Sequence, residues 1–106
     1  MRQIKKDFPD RALVASVMVP CEEMYWKDII PQIAETGVDG FELNFGCPHG
    51  MSERGMGSAV GQVPEYIEMV TRWCKESTEL PVIVKLTPNI TNIIHPAAAE
   101  KNGGAD

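Results

Sequence analysis

Three short apolar runs, separated by longer segments of mixed period, set the rhythm of this chain. The first, Leu13 to Val19 (LVASVMV), is continuous and rich in β-branched residues. Such a run predicts a strand buried on both faces, as in a parallel sheet. Gly40 to Phe45 (GFELNF) and Leu80 to Leu86 (LPVIVKL) give the second and third strands. Between the first two, Ile29, Ile30, Ile33 and Ala34 form the apolar stripe of a helix that runs to about Thr36 and stops at Gly37. Pro31 costs ~3 kcal/mol in a helix interior. It fits if Asp28 caps the helix and Pro31 falls in the first turn; a longer, kinked helix from near Glu22 is the alternative. Pro64 opens the next helix, with Ile67, Val70 and Cys74 on one stripe and Tyr66, Met69 and Trp73 beside it. Thr87, Pro88 and Asn89 turn the chain into a last helical segment that ends at Gly103. The stretch from Gly46 to Gln62 (GCPHGMSERGMGSAVGQ) has no useful period. It reads as a long mobile loop, and loops of that length are commonly functional.

The order strand, helix, strand, helix, strand, helix implies an α/β fold with right-handed crossovers and a parallel sheet. Three such strands do not close a barrel. IAETGVDG leads directly into the second strand, and the related AAEKNGGAD ends the chain where a further strand would follow. The expectation is one incomplete domain over residues 1–106, an internal piece of a larger one.

Composition narrows the function classes. The chain is 43% hydrophobic and 24% charged, ordinary for a globular protein. Its 10 basic and 15 acidic residues give a net charge of −5, with no basic run. Nucleic acid and anionic membrane surfaces are therefore poor partners. No stretch approaches the ~20 apolar residues of a membrane span, and MRQIKKDFPDR has no apolar core of a signal peptide behind it. A cytoplasmic setting is expected. Cys21, Cys47 and Cys74 are far apart and form no CxxC pair, so no metal site is expected. An isolated cysteine is commonly just a small buried hydrophobe.

In parallel α/β folds, reactive groups gather at the C-terminal ends of strands. Asn44 and Cys47 lie at the end of the second strand and Lys85 near the end of the third. An amide, a thiol and an ammonium could hold a polar ring, protonate it and stabilise an anion. Each also has a plainer reading. A strand-end Asn is often a turn residue. His49 could act as a base or simply be solvated. Lys85, between Val84 and Leu86, reads as a buried sheet position, an expensive place for a charge.

ELNFGCPHGMSERGMGSAVGQ (Glu42 to Gln62), the Arg72-Trp73 pair and Val84-Lys85-Leu86-Thr87-Pro88-Asn89 together resemble the dihydropyrimidine dehydrogenase family, whose loop pattern is ELNxSCPHGMxERGMGxxxGQ. The likeness runs from about Leu13 to Asp106. NxxCP and KLTPN are shared with the related dihydroorotate dehydrogenases; HGMxERGMG points to the pyrimidine-reducing branch. Gly46 departs from the family's Ser, removing one hydroxyl. Pro31 and Pro96 sit in segments that should be helical.

The resemblance implies a partial TIM barrel, about three consecutive β/α units of an eight-stranded barrel that holds FMN at its C-terminal face. It implies a reaction in which reduced flavin gives hydride to C6 of uracil or thymine. Cys47 is then the catalytic proton donor to C5, Asn44 a substrate ligand and Lys85 a cofactor ligand favouring the anionic reduced flavin. An ordinary thiol, pKa ~8.5, is mostly protonated at neutral pH and suits the donor role. His49, Gly50, Met51, Glu53, Arg54, Gly55, Met56 and Gly57 are expected in an active-site loop, with Met51 to Gly61 closing over substrate on glycine hinges; the plainer reading is a disordered surface loop. NAD(P)H, FAD and 4Fe-4S clusters are expected on other domains or a partner subunit that passes electrons in, and an oligomer is expected when the protein is complete. Two other outcomes stay open: a dihydroorotate dehydrogenase, with the cysteine as base, or a short chain inactive alone, weakly stable and without tight FMN binding.

Overall fold

Burial alternates along each strand of the computed structural model, which describes residues 1–48 and 55–106. Strand β1 (Val14–Val17) buries Ala15 and Val17 and leaves Val14 and Ser16 open. The expected burial on both faces is therefore corrected to one face. Helices cover the side bearing Ala15 and Val17, and among the described residues no layer covers the other. Strands β2 (Gly40–Asn44) and β3 (Val82–Lys85) follow the same rule. Phe41, Leu43 and Val82 are fully buried, whereas Ile83 and Lys85 are exposed.

The sheet has the order β1-β2-β3, all parallel. Val14 pairs with Gly40 and Val17 with Leu43; Phe41 pairs with Val82 and Asn44 with Lys85. This is the strand–helix alternation of a partial TIM barrel. Both neighbours of β2 lie beside it in the order that barrel winding requires.

Helix α2 (Glu23–Ala34) contains Pro31 in its interior, so the longer of the two alternatives is the observed one. Pro31 has no N–H to offer the Lys27 carbonyl. Burial of Trp26 and Ile30 in the hydrophobic core offsets that loss. Gly37 takes φ +90° in the turn that leads to β2, a conformation in which a side chain would be strained. Helix α4 (Pro64–Ser77) buries Ile67, Val70, Thr71 and Cys74. It packs against α2 on one side and α5 (Ile94–Gly103) on the other. Pro96 falls in the first turn of α5, where its missing N–H costs no helical bond. Helix α1 (Arg2–Asp7) was not evident from periodicity, because it buries no residue.

The two Gly-and-Asp exits use one device. Asp39 donates its N–H to the Leu13 carbonyl (2.8 Å) and accepts the Leu13 N–H on Oδ2 (2.7 Å), with Lys5 Nζ on the same oxygen (2.7 Å). Asp106 donates to the Val82 carbonyl (2.9 Å) and accepts the Val82 N–H on Oδ2 (2.9 Å), with Lys75 Nζ at 2.7 Å. Each carboxylate thus satisfies a strand-opening N–H and a lysine together. These bonds hold both carboxyls below the usual aspartate range, the lysine hydrogen bond being the larger cause and the backbone N–H the second.

The long connection after β2 is only partly irregular. It returns through helix α3 (Ser58–Gly61), which buries Val60 and Gly61, so the expectation of a structureless loop to Gln62 is corrected. Glycine-rich sequence hid this short helix because its residues pack by absence of side chain and show no apolar stripe.

Candidate active site at the strand ends

Strand β2 is pinned where it ends. Phe45 donates its N–H to the Lys85 carbonyl (3.0 Å). Its ring is fully buried, edge-on to Trp26 with centroids 6.3 Å apart, an arrangement aromatic pairs favour. The next residues turn sharply. Asn44 Oδ1 accepts the Gly46 N–H at 3.1 Å, so the turn role of Asn44 is real. That bond uses the amide oxygen and leaves the NH2 end as the donor with which the residue could meet a ligand.

Cys47 is held by the returning chain. Its carbonyl accepts the Ser58 N–H at 3.0 Å. Gly57, at φ +56°, lies so close that an added Cβ would stand 2.5 Å from the Cys47 oxygen and 3.3 Å from its Cβ. Gly61 lies equally tight against Phe45: a Cβ there would run into the Phe45 carbonyl oxygen, with the carbonyl carbon at 3.2 Å. These two glycines are close-approach points, where a side chain would meet backbone. The Gly55 carbonyl accepts the Cys21 N–H (3.0 Å), which ties this return to the segment that follows β1. Met56 is buried beside it.

The end of β3 supplies the third wall. Thr87 is buried and its Oγ1 accepts the Asn89 N–H at 3.2 Å, while the Asn89 carbonyl accepts Gln62 Nε2 at 3.1 Å. Gly46 faces the Leu86 carbonyl, with room for a Cβ at 3.4 Å. Asn44, Gly46, Cys47, Lys85, Leu86 and Pro88 together line one open depression of about 360 Å3. A comparable depression of about 400 Å3 lies between α4 and α5, where Glu65, Glu68 and His95 contribute. It lacks strand ends and a thiol, so the chemistry favours the former.

Lys85 is not buried, contrary to the sequence reading: its side chain is 51% exposed. It sits on the sheet face that the helices do not cover, and its Nζ reaches Glu42 Oε1 at 2.9 Å. Ser16 Oγ donates to the same oxygen, also at 2.9 Å. The Lys85 bond first, then the Ser16 bond, hold the Glu42 carboxyl below its usual range. Sequence reasoning missed Glu42 and Ser16. Their signal was available as polar residues at period two, with Asn44, inside otherwise apolar strands.

The three expected site residues, Asn44, Cys47 and Lys85, are thus together. Gly55, Met56 and Gly57 lie on the return beside them, whereas His49, Gly50, Met51, Glu53 and Arg54 fall outside the described residues. Cys21, Cys47 and Cys74 are free thiols. Burial raises the pKa of the Cys21 thiol and pushes Cys74 up to about 12. Among the described residues no three acidic, His or Cys side chains cluster as a metal site, and no helix is long and apolar enough to cross a membrane.

A family profile described as dihydroorotate dehydrogenase matches residues 2–106. The chain belongs to the dihydroorotate dehydrogenase family. Within it, the chain is 44% identical over 104 residues to the chloroplastic dihydropyrimidine dehydrogenase (NADP(+)) of Arabidopsis thaliana, covering 98% of this chain and 24% of that protein. It is 42% identical over 106 residues to the NAD-dependent dihydropyrimidine dehydrogenase subunit PreA of Escherichia coli K12, covering 100% and 25%. The catalytic subunit of dihydroorotate dehydrogenase B (NAD(+)) from Thermococcus kodakarensis is 39% identical over 102 residues, covering 94% and 30%. The chain spans about a quarter of the length of the first two. Membership of a dihydroorotate dehydrogenase family agrees with the parallel β/α units and with the resemblance carried by the loop after β2.

Proposed function

We propose that this chain forms the strand-end part of an FMN-dependent dihydropyrimidine dehydrogenase, which reduces uracil or thymine at the 5,6 double bond. The observation that carries the reading is the convergence of Cys47, Asn44 and Lys85 on one depression at the C-terminal ends of β2 and β3. Higher identity to dihydropyrimidine dehydrogenases than to a dihydroorotate dehydrogenase supports the substrate class.

The donor set suits a flavin ring. Among the described residues that line the depression Lys85 is the one cation, and Asn44 brings an amide beside it. Lys85 would hold the ring, placing positive charge where reduction gathers negative charge. Bound FMN supplies the hydride that reaches C6 of the pyrimidine.

Cys47 keeps a proton on Sγ and passes it to C5, so that hydride and proton together saturate the double bond. Asn44 donates from its NH2 to a pyrimidine carbonyl, which orients C5 toward the thiol. The backbone bond from Ser58 and the close approach of Gly57 fix where Cys47 sits. A reducing cytoplasm would keep the thiol from forming a disulfide. Electrons would enter from NAD(P)H through FAD and 4Fe-4S clusters on other domains or a partner subunit, within an oligomer.

The test compares two substrates on the complete protein with FMN. Consumption of reduced pyridine nucleotide with uracil or thymine, and little oxidation of dihydroorotate, is the expected result. Efficient dihydroorotate oxidation with no uracil reduction would overturn the reading in favour of the biosynthetic reaction.

A further inference from the structure

Every strand contributes to the sheet face away from the helices a polar side chain below or at the rim: Ser16 from β1, Glu42 from β2, which also carries Asn44 two residues on, and Lys85 from β3. Ser16, Glu42 and Lys85 form a single chain of contacts. Ser16 Oγ and Lys85 Nζ both reach Glu42 Oε1, each at 2.9 Å. Ser16 is paired in register with Glu42, and Lys85 with Asn44, so Glu42 lies two residues below the rim on which Asn44 and Lys85 stand.

Stability alone is a poor reason for this triad. Glutamate is disfavoured in strands, and a half-exposed ion pair contributes little to folding. Placement is a better one. A lysine is a point charge on a flexible four-carbon stem, free to sweep a wide arc unless something holds it. Glu42 holds it, and Ser16 holds Glu42. The carboxylate stays ionised at neutral pH, since its pKa is lowered by the Lys85 and Ser16 hydrogen bonds.

We propose that Glu42 is a positioning residue for Lys85: anchored by Ser16, its carboxylate fixes the ammonium at the rim of the depression and offsets part of the positive charge Lys85 presents to the flavin. The inference rests on the reading that FMN occupies this rim. It has a consequence that a structural role lacks. Removing the carboxylate leaves net positive charge at the flavin, whereas removing the ammonium leaves net negative charge. The two substitutions must therefore move the flavin's midpoint potential in opposite directions.

The experiment measures that potential spectroscopically in the complete FMN-loaded protein, for the parent, Glu42→Gln, Lys85→Met and the double variant. Glu42→Gln is expected to raise the potential, favouring reduced flavin by about tenfold, the scale of one charge at ~10 Å in a medium of effective dielectric ~20. Lys85→Met is expected to lower it, and the double variant to return close to the parent. An unchanged potential in Glu42→Gln, with Lys85→Met still lowered, would overturn the inference. Should Glu42→Gln fail to fold, the double variant decides. A potential equal to that of Lys85→Met alone means the carboxylate is not felt, and overturns the inference. A potential restored toward the parent supports it. A parent protein that binds no FMN would instead overturn the reading under Proposed function, and the inference with it.

Discussion

Replacing Gly61 with alanine tests how the return after β2 is seated against Phe45. Two effects oppose each other. Gly61 ends helix α3, and alanine is the better helix former by about 1 kcal/mol. Against this, the new Cβ would run into the Phe45 carbonyl oxygen, with the carbonyl carbon at 3.2 Å and Phe45 Cβ at 3.4 Å. The obstacle is backbone, and it cannot swing aside. Phe45 is bonded to the Lys85 carbonyl at 3.0 Å, and its ring is wedged edge-on against Trp26. Overpacking of this kind costs about 1–3 kcal/mol, with the upper end expected where neighbours are pinned. The net expectation is a loss of about 2 kcal/mol. Turnover should fall as well, because Phe45 stands two residues before Cys47. Urea unfolding followed by tryptophan fluorescence reads the first effect, since Trp26 touches Phe45. Gly55→Ala is the control: among the described residues nothing stands within 4 Å of the added Cβ, and its φ of +65° is penalised at about 1–2 kcal/mol. A Gly61→Ala protein as stable and active as its parent would refute the close-packed return.

Other expectations follow from the same contacts. Gly46→Ser, which restores the hydroxyl found in related loops, adds a Cβ whose nearest neighbour is the Leu86 oxygen at 3.4 Å, an ordinary contact. It should change stability by less than about 1 kcal/mol by urea titration, and a large loss would mean that the turn after β2 is tighter than described. Stability should decline in acid. The folded-state pKa values of Asp39 and Asp106 are depressed, so their contribution is present above the ordinary aspartate range and is lost as pH falls below about 4. Asparagine at both positions should flatten that limb of a pH series; an unaltered acid limb would show that the two carboxylates are not its source. In native protein at pH 8, Cys74 should resist alkylation, because its thiol is buried and pushed up to about 12. Rapid labelling of Cys74 by mass spectrometry would contradict the packing of α4.

Much of the fold was legible because strand, helix and glycine stops agree with one another. The apolar runs fell on β1, β2 and β3, and the stripe of Ile67, Val70 and Cys74 fell on the buried face of α4. Two features were hidden for physical reasons. A run such as LVASVMV does not say whether its second face is covered, and here only Ala15 and Val17 turn inward to the helices. Glycines that pack by close approach leave no periodic trace, so α3 looked like loop. At the site, residue type marked Asn44, Cys47 and Lys85. Lys85 was misjudged as buried because its apolar neighbours in sequence point to the other side of the sheet. Its partners Ser16 and Glu42 come from two other strands, and only the parallel register brings all three together.

Stopped-flow mixing of the reduced, FMN-loaded complete protein with uracil, for the parent and for Cys47→Ser, tests the assignment of Cys47 most directly. The serine hydroxyl keeps the shape but is a much weaker acid, so flavin reoxidation by uracil should slow by about 10²-fold or more, the usual worth of a positioned general acid. Uracil binding should be nearly unchanged. Equal reoxidation rates in the two proteins would contradict the role of Cys47 as proton donor.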